Sequence, residues 1–193
     1  MCVCSDRYPT WVQWISPDQF KDKGLIRIIA FFVFHSPCEK LSCMRKSLAE
    51  YGWTTPWKKP YWLNRQLRQA ASEYEIIYSA QWPGKMEEAL EKAGLKENFP
   101  SDISHEKICI HNKQKNQFMS VFYHIRNAFA HGRVRMVDID GECVFVLEDV
   151  LPSASSDKLK VTARMILYKS TLLKWIDIIE AGEKEYQKDL SRS

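Results

Sequence analysis

The feature that most constrains this chain is a change of period. Over residues 111–130 the apolar side chains Phe118, Val121, Phe122, Ile125, Ala128 and Phe129 recur at helical spacing and fall on one face. Gly132 follows, where a helix ends readily because glycine adopts positive φ without steric cost. Beyond it the period becomes two. Residues 133–139 and 142–148 are rich in Val, Ile, Met and Phe, and Asp140-Gly141 joins them. Asp-Gly between two such runs predicts a hairpin, since the favoured two-residue turn needs positive φ at both positions. The chain must therefore set a helix end directly against the start of a β-hairpin.

The rest of the sequence reads mostly as helix. Ser16-Pro17-Asp18 is a helix-start pattern, and helical character resumes over 25–34. Leu41, Met44, Leu48 and Tyr51 predict an amphipathic helix from about 39 to 50, stopped by Gly52. A proline-rich loop, TTPWKKPYW, leads into a helix over 63–78, and a short helix over 86–93 ends at Gly94. After the hairpin, 159–165 gives a short third strand and 166–186 a last long helix. The expected fold class is mainly α: a helical bundle with a β-hairpin inserted between its last two helices. Residues 1–193 form a single domain, with 1–100 an N-terminal helical part and 104–187 a core carrying the hairpin 133–148.

Composition permits this. The 193 residues are 45% apolar and include seven Trp, eight Tyr and nine Phe, enough for a sizeable core. A net charge of +4 allows a polyanionic partner without demanding one. The apolar run LIRIIAFFVF is about half the length a bilayer requires. The opening residues MCVCSDRYPTWVQWIS lack a charged stretch followed by an apolar one. A cytoplasmic protein without a membrane partner is expected. The six cysteines are then expected as thiols. His35/Cys38/Cys43 and His105/Cys109/His111 lack the paired C-x2-C spacing of a zinc site, so no metal and no cofactor are expected.

The chemistry concentrates in HIRNAFAHGR, residues 124–133, where Arg126, Asn127 and His131 lie within six positions. Histidine can exchange a proton near neutral pH, and arginine offers a permanent charge whose fork matches a phosphate. Asparagine can donate to a phosphate oxygen or orient a hydroxyl. Together these residues could cleave RNA without a metal. His131 would move protons during attack of the ribose 2′-hydroxyl, and Arg126 would stabilise charge on the scissile phosphate. Positions five apart on a helix differ in direction by about 140°. Arg126 and His131 therefore converge only if the helix breaks at Gly132 or if two copies share one site.

RNAFAH resembles the Arg-x4–6-His motif of the HEPN superfamily, in the variant with Asn directly after Arg. The resemblance covers about residues 104–183 and implies a HEPN-like helical bundle. It also implies a metal-independent endoribonuclease of the toxin or phage-defence type, acting on RNA at a homodimer cleft, with an antitoxin protein as a further partner. On that basis Arg126 and His131 would be catalytic and Asn127 would support them. Arg133 and Arg135 on the first hairpin strand, with Lys58 and Lys59 in the proline-rich loop, are candidates for RNA binding. Two other readings stay open: a HEPN-like module that binds RNA or protein without cutting, and a helix-turn-helix DNA binder through residues 41–72. The latter would expose Asn64, Arg65, Arg68 and Gln69.

Overall fold

Asp140 and Gly141 both adopt positive φ, 52° and 81°, and the Asp138 carboxylate accepts the Gly141 N–H at 3.1 Å. This closes the predicted turn between β4 (Val134–Ile139) and β5 (Glu142–Leu151). The computed structural model describes residues 3–5, 18–38, 43–53, 61–71, 77–97, 100, 102–112, 116–151 and 159–190. Among these residues the hairpin is one edge of a six-stranded mixed sheet. The other strands are β1 (Cys4–Ser5), β2 (Ile77–Ala80), β3 (Lys107–His111) and β6 (Leu159–Tyr168). Their order is β2-β3-β6-β5-β4, with β1 also paired to β6. β2 and β3 run parallel and all other neighbours antiparallel. The described helices are α1 (Lys23–Ile29), continued by the π-helical Ala30–His35, α2 (Tyr61–Ala70), α3 (Met86–Lys92), α4 (Gln117–Ala130) and α5 (Lys169–Leu190).

The fold is thus α/β, and the expected mainly α bundle with an inserted hairpin is corrected. Three misread segments account for the difference. The helix expected over 63–78 takes in the first two residues of β2, but α2 stops at Ala70 and 77–80 form a strand. β3 is only five residues long, and its buried centre, Ile108 to Ile110, is apolar on both faces and shows no alternation. β6 forms where the strand over 159–165 is expected, but it is central, buried on both faces from Val161 to Leu167, and runs on to Tyr168. The expected final helix over 166–186 takes in its last three residues, but α5 begins only at Lys169. The hairpin is therefore not an insertion: β6 joins it to the rest of the sheet. The proposed division near residue 100 is crossed by that sheet, since β1 pairs β6 and β2 pairs β3. The helix expected over 39–50 is not formed in its described part. Residues 43–48 are turn and irregular chain, with Arg45 at positive φ, followed by a single 3-10 turn, Ala49–Tyr51.

One face of the sheet carries the main core. Ile108, Ile110, Phe145, Leu147, Met165 and Leu167 pack beneath α1, α2, α4 and α5. Phe31, Phe32, Phe122 and Trp175 interlock there, with Phe31 edge-on to Phe32 at 5.2 Å and Phe32 edge-on to Phe122 at 5.4 Å. On the opposite face α3 covers Cys109, Val161 and Ile166 with Met86 and Leu90. Two indoles satisfy carbonyls that helix ends leave over. Trp175 Nε1 donates to Leu67 O in the last turn of α2 at 2.7 Å, and Trp53 Nε1 donates to Ile179 O at 3.0 Å. The second lies one turn before a kink in α5 at Gly182, whose φ is 72°. A Cβ there would collide with the Tyr51 carbonyl oxygen.

α4 is the element that positions the motif. Its start is capped by the Asn116 side chain, which accepts from Met119 N at 3.1 Å. Its end is a Schellman closure: Arg133 N donates to Ala128 O at 2.9 Å and Gly132 N to Phe129 O at 3.2 Å, with Gly132 at φ 65°. This fixes His131 as the C-cap residue and sends the chain straight into β4.

Candidate functional site

α4 lies across the sheet, so the side chains on its inner face meet β5. His124 is fully buried, with Nδ1 2.6 Å from Asp149 Oδ2 and Nε2 2.9 Å from the His111 carbonyl oxygen. Asn127, one turn on, is only 8% exposed and donates from Nδ2 to the same Asp149 oxygen at 3.2 Å. Its Oδ1 accepts from Arg126 Nη1 at 3.1 Å. A chain of contacts thus runs from β3 through His124, Asp149 and Asn127 to Arg126. The carboxylate is buried, and it is satisfied by three donors, the third being Val150 N at 2.9 Å.

Arg126 is half-buried. Its guanidinium makes one hydrogen bond, to Asn127, and no carboxylate stands within ion-pair distance among the described residues. Its Nε is buried and has no acceptor. The guanidinium acts electrostatically on Cys38, which lies in the segment after the π-helical turn. Burial pushes that thiol up to about 11, while a hydrogen bond from Ser36 and the Arg126 charge pull the other way. His131 is exposed at the helix end and makes no hydrogen bond to Arg126. The structure therefore brings Arg126 and Asn127 together and leaves His131 apart, as the helical angle between them requires.

The expected RNA-binding residues part company. Arg133 turns inward and is only 6% exposed. Its Nε donates to Glu148 Oε1 at 3.1 Å and its Nη2 to Ser5 Oγ at 2.8 Å, with a second, shorter contact from Nη2 to Glu148. Arg164 donates from Nε to the other Glu148 oxygen at 2.8 Å and from Nη1 to the carbonyls of Leu95 and Lys96 at 2.9 and 2.7 Å. These three buried residues tie β4, β5 and β6 to the segment after α3. Arg135 is half-buried on β4. Lys58 and Lys59 lie outside the described residues. Of the helix pair needed for a helix-turn-helix, the described residues hold α2 alone. Its Leu63, Gln66 and Leu67 are buried, and Arg68 is bonded to Gln117. Among the described residues no three His, Cys, Asp or Glu side chains are grouped to hold a metal. None of the described helices is long and apolar enough to cross a membrane.

No protein-family model matches this chain, and neither does any curated protein or solved structure. The HEPN likeness rests on the motif and its helix, since the bundle it implied is replaced by a sheet.

His124, Asp149, Glu148 and Arg164 were not singled out from the sequence. The signal was there in Glu148-Asp149, two adjacent carboxylates within an apolar strand. On a strand they must point to opposite faces, and where both faces are covered each needs its own donors. Glu148 finds two arginines on one face, and Asp149 finds His124 and Asn127 on the other.

Proposed function

We propose that this protein binds RNA and cleaves it at the C-terminal end of α4, with Arg126 taking the scissile phosphate and His131 moving the proton. The observation that carries the reading is the state of Arg126. Arg133 and Arg164 are matched by Glu148, whereas Arg126 is set into an apolar helix face with no carboxylate opposite it among the described residues. A half-buried guanidinium without a counter-charge is stabilised when an anion arrives, and its fork suits two phosphate oxygens.

His131 supports the same reading, because a residue that exchanges protons with substrate must be reachable, and this one is exposed. In the proposed reaction His131 takes the proton from the ribose 2′-hydroxyl as its oxygen attacks phosphorus. The bond from phosphorus to the 5′-oxygen breaks, the 5′-oxygen takes the proton back from His131, and the products are a 2′,3′-cyclic phosphate and a 5′-hydroxyl. Arg126 compensates the charge that builds on the phosphate oxygens. Asn127 faces inward and acts by holding Arg126. The break at Gly132 comes only after His131, so Arg126 and His131 still project about 140° apart, and the reading requires Arg126 of one copy to meet His131 of another across a twofold axis.

The experiment is cleavage of a mixed-sequence RNA in excess EDTA. Wild-type protein is expected to cut, and His131→Ala and Arg126→Ala each to lose more than about a hundredfold. Cleavage that survives His131→Ala would sink the assignment.

A further inference from the structure

We infer that Asp149 and His124, which never reach the surface, are positioning residues that orient the Arg126 guanidinium through Asn127; the inference rests on the RNA reading for its purpose, though not for its geometry. An asparagine amide can present either its oxygen or its nitrogen to a neighbour, and the two differ completely for an arginine. Asp149 removes the choice. Its Oδ2 is an acceptor 3.2 Å from the Asn127 amide nitrogen, so the amide must turn Nδ2 inward. Oδ1 of Asn127 then faces Arg126, where it accepts from Nη1 at 3.1 Å. A flipped amide would set oxygen against carboxylate on one side and N–H against N–H on the other.

Asp149 is itself held on every side. Oδ1 accepts from Val150 N at 2.9 Å, and Oδ2 lies 2.6 Å from His124 Nδ1. The far ring nitrogen of His124 rests 2.9 Å from the His111 carbonyl oxygen on β3. Both ring nitrogens face oxygen acceptors, which a ring protonated on both satisfies in full. His124, Asn127 and Asp149 are all buried, so water cannot substitute for a lost link. The sheet therefore sets the polarity of one amide on α4, and that amide sets the guanidinium.

This polarity can be exchanged. In the double variant Asn127→Asp/Asp149→Asn, the amide introduced at position 149 has one N–H for the carboxylate introduced at position 127 and one for Nδ1 of a neutral His124. The amide oxygen accepts Val150 N–H, and the relocated carboxylate still offers an oxygen to Arg126. In the single variant Asp149→Asn, one donor necessarily faces another donor.

The readout is the heteronuclear NOE of Arg126 Nε, which reports whether the guanidinium is held. It is expected to be high in wild type, low in Asp149→Asn, low in His124→Gln, and high again in the double variant. A single variant as rigid as wild type, or a double variant as mobile as Asp149→Asn, would overturn the inference. If Asp149→Asn fails to fold, the double variant decides: a folded, rigid protein supports the exchange of polarity and an unfolded one contradicts it. RNA cleavage measured in parallel on His124→Gln should fall about a hundredfold in kcat with little change in KM, since the guanidinium is misplaced and not removed. If wild-type protein does not cut RNA, the functional reading fails while the NOE series still judges the positioning.

Discussion

Glu148→Gln tests the electrostatics of the sheet most severely. Glu148 is fully buried between the guanidinium groups of Arg133 and Arg164, themselves only 6% and 4% exposed. Glutamine keeps the volume and one acceptor oxygen, so packing changes little, but it removes the only negative charge of the triad. Two buried cations would then face each other across an amide whose NH2 also points at a donor. Breaking a buried ion pair from one side costs about 3–5 kcal/mol, against a total stability of about 5–15 kcal/mol for a domain. With an m-value of about 2 kcal/mol per molar in urea, the midpoint should fall by about 2 M while m stays constant. Arg133→Met/Glu148→Gln should lose less than the sum of its singles, with a coupling of about 1–3 kcal/mol, because Met removes one of the stranded cations. Arg164 cannot be replaced as harmlessly, since it also holds the carbonyls of Leu95 and Lys96. A urea titration followed by circular dichroism is sufficient. A loss below about 1 kcal/mol for Glu148→Gln, or strict additivity of the pair, would refute the reasoning.

Three further outcomes follow from named features. Mixing Arg126→Ala with His131→Ala should recover about one quarter of wild-type cleavage, because half the dimers formed are mixed and each has one intact site of two; no recovery would mean that each chain carries its own complete site. Gly182→Ala should destabilise by more than about 1 kcal/mol, since the kink needs positive φ and the new Cβ would strike the Tyr51 carbonyl; an unchanged melting temperature would contradict the kink. Burial holds the Cys38 thiol up at about 11 and the Cys109 thiol up at about 12, from an ordinary value of 9.0. Above about pH 9 the unfolded chain releases these protons while the folded chain keeps them, so stability falls from there up to about pH 11–12. Replacing both cysteines with alanine should flatten that fall, and in native protein the exposed Cys43 should be modified by a thiol reagent well before either.

The sequence made the local switch legible and the sheet illegible, for one physical reason. α4 shows its period because its apolar residues keep to one face, and the hairpin is legible mainly from its turn, because Asp140-Gly141 needs special φ. Where both faces are buried, period disappears. β2 and β3 are four and five residues long and show no clear alternation, and β6 shows as a strand only over 159–165, short of its true end at Tyr168. At the site, Arg126, Asn127 and His131 were legible from residue type and spacing. Which of them faces inward was not, because that depends on Asp149, 22 residues away on β5, beneath the inner face of α4. Arg133 shows the same limit. Its charge suggested a surface role, while its fate was decided by Glu148 lying opposite on β5.

The chemistry of the cut ends tests the central claim most directly. A defined RNA is incubated with wild-type protein in EDTA, and the product termini are identified by mass spectrometry. Attack by the 2′-hydroxyl with His131 as the proton carrier predicts 2′,3′-cyclic phosphate and 5′-hydroxyl ends, no cut where the scissile nucleotide is 2′-deoxy, and no products from His131→Ala. Ends carrying 5′-phosphate and 3′-hydroxyl, or equal cleavage of the 2′-deoxy substrate, would contradict it.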